Sequence, residues 1–308
     1  MNLDFSDIKV LVVGDFMIDH YIMGESNRVS PEAPVPVVVP TEEFSIPGGA
    51  GNVAMNISTL GSEVTCLGVI GNDIFGKELI KIFNENNISS KYIETIENYS
   101  TTVKQRIYCN GIQVARVDKE EPLSWKPNQS ENSLNFSDYD VIILSDYDKG
   151  VLMKPWFFKP KNTNVILDPK SGFEHLFIHS NIITPNLNEL KKISGMNINN
   201  DDSIVNACNK LMKENSFDYI VAKKGDRGMT IVGNQNFIKH IDPNRVDNPD
   251  VTGAGDTVIA ALSIAYAKTN DIEFSAKFAN VAAAIAVDKT GTASVTIDEI
   301  NNYIEISK

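Results

Sequence analysis

Cysteine is scarce in this chain. The three residues, Cys66, Cys109 and Cys208, are odd in number and widely spaced. That excludes a disulfide framework and leads us to expect a cytoplasmic protein with reduced thiols. Positive charge is also short: 28 Lys and Arg stand against 40 Asp and Glu, a net charge of −12. Sequence-independent nucleic-acid binding needs a basic face, and an anionic membrane surface makes the same demand, so neither partner is expected. No hydrophobic run approaches the roughly 20 residues that span a bilayer; the longest weakly polar stretch covers residues 258–267. The opening MNLDFSDIKV carries two Asp before its first Lys, the reverse of a secretory n-region. Histidine numbers four, and His175 and His179 stand at a spacing that would share a helix face. No acidic residue or third ligand joins them at metalloprotease spacing, so surface or packing roles are expected for both.

What is present is an ordinary globular composition of 308 residues, 42% hydrophobic and 22% charged. No repeat, low-complexity segment or Pro/Gly linker divides the chain, and one domain over 1–308 is expected. A chain of this length buries about three quarters of its unfolded surface. Apolar runs at 9–13, 64–70, 141–144, 165–167, 182–184, 219–222 and 229–232 read as strands. Helical stretches lie between many of them, at 50–60, 76–86 and 202–214, and Ala-rich ones follow at 255–268 and 274–288. Near-continuous apolar strands alternating with helices predict an α/β three-layer sandwich, its mostly parallel sheet covered on both faces.

Two segments, at about 20–45 and 100–120, break the alternation. The first has APVPVVVP at its centre. In the second, VKQRIYC and IQVARVD flank Asn110-Gly111. Asn-Gly between alternating runs signals a hairpin, because a type I′ turn needs positive φ at both positions. A small antiparallel lid is therefore expected to stand apart from the main sheet. An exposed lid edge would be covered by pairing with a second chain, so a homodimer through the lid is expected.

Three glycine-rich stretches compete as phosphate cradles. In PGGAGNVA, Gly49, Gly51 and Ala54 have dinucleotide-site spacing and Asp73 follows at the right interval, but no hydrophobic strand precedes them. GNDIFGKE at 71–78 has P-loop spacing through Gly76 and Lys77, yet Glu78 replaces the magnesium-holding hydroxyl and Asp73 would repel phosphate; a strand-to-helix turn is expected. In DVTGAGDTVIAA at 250–261, Gly253, Ala254 and Gly255 precede an Ala-rich helix whose N-terminus attracts anions. Asp256 at that end is either a helix cap or a carboxylate placed to accept a proton from an attacking hydroxyl.

GGAGN at 48–52 and DVTGAGD at 250–256 resemble the two signatures of the ribokinase-like (PfkB) carbohydrate kinases. They are two separate motifs about 200 residues apart, in the family's order. GDFMIDHY (14–21), NRVSPEAPVPVV (27–38), LSDYDKG (144–150), LDPK (167–170), TPNLNE (184–189) and FANVAAA (278–284) extend the likeness over nearly the whole chain. They make it most similar to the family's kinases of D-glycero-β-D-manno-heptose 7-phosphate. Bifunctional relatives carry a further nucleotidyltransferase domain, so a stand-alone kinase is expected.

The resemblance implies transfer of the ATP γ-phosphoryl group to the anomeric hydroxyl of that heptose phosphate, for nucleotide-activated heptose and surface glycan synthesis. Asp256 would be the base, and the N–H groups of Gly253, Ala254 and Gly255 would stabilise the moving phosphoryl group. Asn186, Leu187, Asn188 and Glu189 match the N-x-x-E motif that organises Mg²⁺ near the nucleotide, with Glu189 acting through water. A monovalent-cation requirement stays open. Asp15 and Asp19, after the first strand, would face sugar hydroxyls. Gly48, Gly49 and Asn52 would close the other side. Lys223, Gly225 and Gly228 resemble the family's phosphate turn, and Asn280 a contact near the adenine.

An acidic protein binding two anions must gather positive charge locally. Lys104, Arg106, Arg116, Lys149 and Lys170 are the candidates for the sugar phosphate. Lys104 and Arg106 share a strand face. A strict two-residue hairpin pairs Arg116 with Gln105 and turns it away, unless a bulge re-aims it. Two departures from the family pattern stand out. Lys223 replaces a frequent Thr, and Val251 occupies a position expected to pack. The alternatives are a family member acting on ribose, fructose or another sugar phosphate, a silent sugar sensor, and an NAD-dependent oxidoreductase.

Overall fold

The computed structural model describes residues 3–121, 123–127, 134–170, 172–247, 249–289 and 291–306. A nine-stranded sheet forms its centre. In chain order the strands are β1 (Lys9–Gly14), β2 (Phe16–Glu25), β3 (Val39–Gly49), β4 (Glu63–Gly71), β5 (Ser89–Ile96), β6 (Thr102–Cys109), β7 (Ile112–Lys119), β8 (Val141–Ser145), β9 (Asn164–Asp168), β10 (Ile182–Ile183), β11 (Tyr219–Lys223), β12 (Met229–Gly233) and β13 (Phe237–Ile241). The helices are α1 (Ala50–Thr59), α2 (Ile74–Glu85), α3 (Glu174–Phe177), α4 (Leu187–Ser194), α5 (Asp201–Glu214), α6 (Ala254–Thr269), α7 (Ile272–Val287) and α8 (Ile297–Ile306).

The large sheet runs β13-β12-β11-β10-β9-β8-β1-β4-β5. All its pairings from β11 to β5 are parallel, and β12 and β13 turn back antiparallel at one edge. Its central strands are apolar on both sides, and side-chain alternation deals them to two cores. Val10, Val12, Ile143 and Ile166 join α1, α6 and α7 on one face. Leu11, Val13, Ile142, Leu144, Val165 and Leu167 join α4 and α5 on the other. The three layers expected from the alternating pattern are therefore present.

The lid is a separate sheet of order β3-β2-β6-β7. It is mixed, not purely antiparallel as expected: β2 and β6 run parallel, because the chain makes a full excursion through the large sheet between them. Asn110 and Gly111 both take positive φ, 51° and 80°, as the hairpin signal requires. A bulge between Ile107 and Tyr108 shifts the register, so Arg116 faces Arg106 and Gln105 faces Val117. A strand does precede the first glycine stretch, but β3 is largely exposed and belongs to the lid. No dinucleotide-binding βαβ unit results. At the second stretch, Asp73 caps α2 by accepting from Gly76 N at 2.8 Å, which leaves no anion cradle there.

His175 and His179 do not share a helix face, since α3 ends at Phe177. His175 reaches the Leu152 carbonyl at 2.9 Å, and His179 lies against Phe157 and Phe158. All three cysteines are free and buried. No described helix is long and apolar enough to cross a membrane.

Phe83 of α2 is fully buried, edge-on to Phe16 at 6.0 Å, where helix, lid and large sheet meet. Truncating a core Phe costs about 3–5 kcal/mol. Phe83→Ala should lose that much in denaturant unfolding, and a loss below about 1 kcal/mol would contradict this packing.

Candidate active site

Parallel strands deliver their C-terminal ends to one edge of the sheet, where ligands of open α/β folds bind. Here Asp146 and Tyr147 follow β8, Asp168 closes β9 with Pro169 and Lys170 behind it, Asn186 follows β10, and Lys223 closes β11. These residues, with Glu189 of α4 and Gly255 and Asp256 of α6, line a cleft of ≈ 140 Å³.

Asp256 is the focus. It is buried, 8% exposed, in the first turn of α6. Asn52 Nδ2 donates to its Oδ2 at 2.7 Å, and the Tyr147 hydroxyl donates to its Oδ1 in a short hydrogen bond. Burial pushes the carboxyl up to about 6, against the pull of these two donors. Gly253 begins the helix with φ at 76°, and a Cβ there would lie 2.5 Å from Thr292 Cγ2 and 2.7 Å from Asn52 Nδ2. The glycine is therefore required twice, by conformation and by space. Asp256 makes no side-chain cap, since Gly253 holds the N-cap position with no side-chain bond.

Lys223 Nζ meets Asp168 Oδ1 at 2.5 Å and lies 3.6 Å from where a Cβ on Gly255 would stand. Burial pulls its pKa down, but Asp168 and Glu189 more than compensate and hold it above the ordinary value. The Lys that replaces a hydroxyl thus places a fixed cation beside the α6 N-terminus. Asn186 and Glu189 form a reciprocal capping box on α4, at 2.7 and 2.9 Å. Glu189 Oε1 remains turned toward Lys170 at 4.0 Å, and burial raises the carboxyl above its ordinary value. Among the described residues no cluster of three His, Cys, Asp or Glu could hold a metal. One carboxylate oxygen suits Mg²⁺ that arrives on phosphates and keeps its waters.

Asp15 departs from the sugar-facing role expected of it. Its carboxylate is buried and accepts the backbone N–H groups of Tyr147, Lys149 and Val151 at 2.9, 3.1 and 3.0 Å. It anchors the loop that carries Tyr147. Burial raises it to about 6. Asp19 sits buried within β2 and pairs with Arg106 at 2.6 Å. Gly48 allows this approach, since a Cβ there would lie 2.9 Å from Asp19 Oδ2. Gly49 turns the chain into α1 with φ at 57°.

Lys104, Arg106 and Arg116 share the lid face that carries Asp19 and Tyr21. Most of the expected cations already hold carboxylates: Arg116 with Asp118 at 2.6 Å and Lys149 with Glu120 at 2.7 Å, besides Arg106 with Asp19. Lys104 has no ion-pair partner among the described residues, and its amine lies 5.7 Å from the centre of the Tyr147 ring. Burial lowers its pKa. Gly225 and Gly228 shape the turn between β11 and β12, outside the cleft. Asn280 is also outside, donating to the Asp242 carbonyl at 2.7 Å. Val251 does not pack; it is 70% exposed. Sequence reasoning misses Tyr147, Asp146 and Asp168 as site residues, although each directly follows or ends an apolar strand run, which is the available signal.

This arrangement suits phosphoryl transfer: a buried carboxylate, a helix N-terminus beside it and a cation between. The fold is ribokinase-like. Ribokinase from Thermotoga maritima superposes with a TM-score of 0.76 at 22% identity, covering 97% of this chain and 99% of that one. Arabidopsis thaliana ribokinase complexed with ribose and ATP gives 0.76 at 18%, with the same coverage. The family model described as pfkB family carbohydrate kinase matches residues 7–299, and the chain belongs to that family. It is a phosphotransferase acting on a sugar hydroxyl. Curated relatives include bifunctional protein HldE of a Nitratiruptor species, 39% identical over 303 residues, covering 96% of this chain and 64% of the relative. HldE of Sulfurimonas denitrificans is 37% identical over 306 residues, with coverage of 96% and 64%. The chain thus spans less than two thirds of the length of these relatives.

Gly253→Ala tests the crowding at the α6 N-terminus. The added methyl strains a left-handed φ by about 1–2 kcal/mol and displaces Asn52. Sugar-kinase turnover should fall at least about tenfold while the melting temperature drops only modestly. Turnover within twofold of the parent would show that Asn52 is free to move.

Proposed function

We propose that this kinase phosphorylates the anomeric hydroxyl of D-glycero-β-D-manno-heptose 7-phosphate with ATP, giving the 1,7-bisphosphate for nucleotide-activated heptose and surface glycan synthesis. The observation that carries this reading is the cationic lid face. Lys104, Arg106 and Arg116 lie together there, and Lys104 covers the ring whose hydroxyl touches Asp256. A sugar that already carries a phosphate at its far end would span from the base to that face. An unphosphorylated sugar has no use for it. The HldE relatives support the reading.

Asp256 takes the proton from the acceptor hydroxyl as the bond to phosphorus forms. The N–H groups of Gly253 and Gly255, together with Lys223, hold the charge on the transferring group; the Ala254 N–H, expected to share that role, instead donates to the Val251 carbonyl at 3.3 Å. Asn186 and Glu189 would hold Mg²⁺ with its waters, and the ion would neutralise phosphate charge when bound. Lys170 lies at the mouth of the same end. The turn with Gly225 and Gly228, and Asn280 once released from Asp242, would take the nucleotide.

A coupled assay offering heptose 7-phosphate, fructose 6-phosphate and ribose decides the acceptor. Heptose 7-phosphate should be turned over best, and equal or better use of ribose would overturn the assignment. Asp256→Asn should lower kcat by about 100-fold to 10,000-fold with sugar binding largely kept. A mutant retaining a tenth of parental turnover would remove Asp256 from its role.

We also propose a homodimer through the lid. β7 is an edge strand exposed throughout, with Ile112, Val114 and Val117 in the open. Light scattering should give twice the chain mass of 34.0 kDa, and a monomer at working concentration would contradict this.

A further inference from the structure

Both oxygens of Asp256 are engaged, and the two engagements differ in kind. On Oδ2 stands Asn52, itself locked in a buried network: Asn56 Nδ2 donates to the Asn52 carbonyl at 2.9 Å and to its Oδ1 at 3.3 Å. The Thr257 hydroxyl donates to Asn56 Oδ1 at 3.2 Å and closes the circuit. On Oδ1 stands the Tyr147 hydroxyl, carried by a loop and facing the cleft.

That loop is fixed more firmly than its lack of secondary structure suggests. Three of its backbone N–H groups bind the buried Asp15 carboxylate. Gly150, at φ 121°, presses against Leu123, whose carbonyl oxygen would lie 1.5 Å from a Cβ. Leu123 N in turn donates to the Lys149 carbonyl at 3.0 Å. Lys104 covers the ring from the lid. The phenol therefore reaches Asp256 from a rigid mount.

We propose that Tyr147 is a positioning residue for phosphoryl transfer: its hydroxyl holds the Asp256 carboxylate so that the remaining lone pair of Oδ1 meets the incoming sugar hydroxyl. The inference rests on the reading of Asp256 as the base. A carboxylate oxygen accepts two hydrogen bonds, so the phenol and the sugar share it. Burial, with Asp256 and Asp168 nearby, pushes the Tyr147 hydroxyl well above its ordinary range. It therefore donates at every working pH and never competes for the proton.

The charged and titratable groups acting on Asp256 are Tyr147, Asp168 and Lys223. Lys104 lies beyond, over the Tyr147 ring. Asp256 must be ionised to act, so activity should fall below about pH 6, where its carboxyl titrates. A hydrogen bond to a charged acceptor is worth about one to two pH units, and removing it raises that limit.

Tyr147→Phe keeps the ring and deletes only the hydroxyl. The acid limb of its kcat profile should move up by about one to two pH units. At pH 7.5, kcat should fall about tenfold, the KM for ATP should hold, and thermal unfolding should show an intact fold. Ring-fluorinated tyrosine incorporated at 147 donates more strongly and should move the limb down. An acid limb unmoved in both proteins overturns the inference, as does a Tyr147→Phe enzyme with higher kcat and lower sugar KM, which would make the phenol an obstruction. Asp256→Asn separates the two readings. If it stays active, the assignment of the base fails; if it is inactive while Tyr147→Phe keeps the parental limb, only the role of Tyr147 fails.

Discussion

A carboxylate buried at the start of a helix must be kept ionised without being neutralised by a direct ion pair, and the rest of this site serves that requirement. An isolated buried charge is costly, and burial alone already lifts Asp256 to about 6. Two neutral donors, Asn52 and Tyr147, and the α6 N-terminus hold the charge while leaving its basicity intact. Lys223 is nearby but is held by Asp168. A direct Lys–Asp256 pair would depress the carboxyl and weaken it as a base.

The same constraint explains why distant parts of the chain converge. Asn52 comes from the α1 entry and Tyr147 from the end of β8, while Gly253 sits at the mouth of α6. Each contact is close, so Gly48 is dictated by clearance, and Gly253 by clearance together with its positive φ. Positive charge is concentrated in an acidic protein by pairing almost every site cation with a carboxylate in advance. In the function proposed, incoming phosphate exchanges partners instead of meeting bare charge, and Lys104 is the exception among the described residues.

Much of this was legible before the structure. Strands buried on both faces announce themselves as apolar runs, and β1, β4, β8, β9, β11 and β12 lie within a residue of expectation. Asn110-Gly111 marked its turn because positive φ at two adjacent positions has few solutions. The third glycine stretch marked the start of α6, where Asp256 read equally as a cap or as a proton acceptor. What was hidden is equally physical. β2 and β3 carry Asp19, His20, Glu42 and Glu43 within strands of a lid whose faces are partly polar, so their periodicity is weak. Asp15 is indistinguishable from Asp19 in sequence, because only the fold shows which carboxylate meets backbone N–H groups. Val251 stays exposed because helix α6 begins beyond it. Tyr147 depends on a long-range contact that no local pattern encodes.

The bulge in the lid hairpin decides more than its size suggests. With an unbroken ladder, Arg116 and Asp118 would swing to the opposite side and Ala115 and Val117 would replace them, since a one-residue slip inverts every side chain on a strand. The chemical character of the surface above the acceptor is thus stored in strand register, not only in residue identity. A kinase on this scaffold has a route to a new sugar that leaves every residue touching the transferred phosphoryl group as it is.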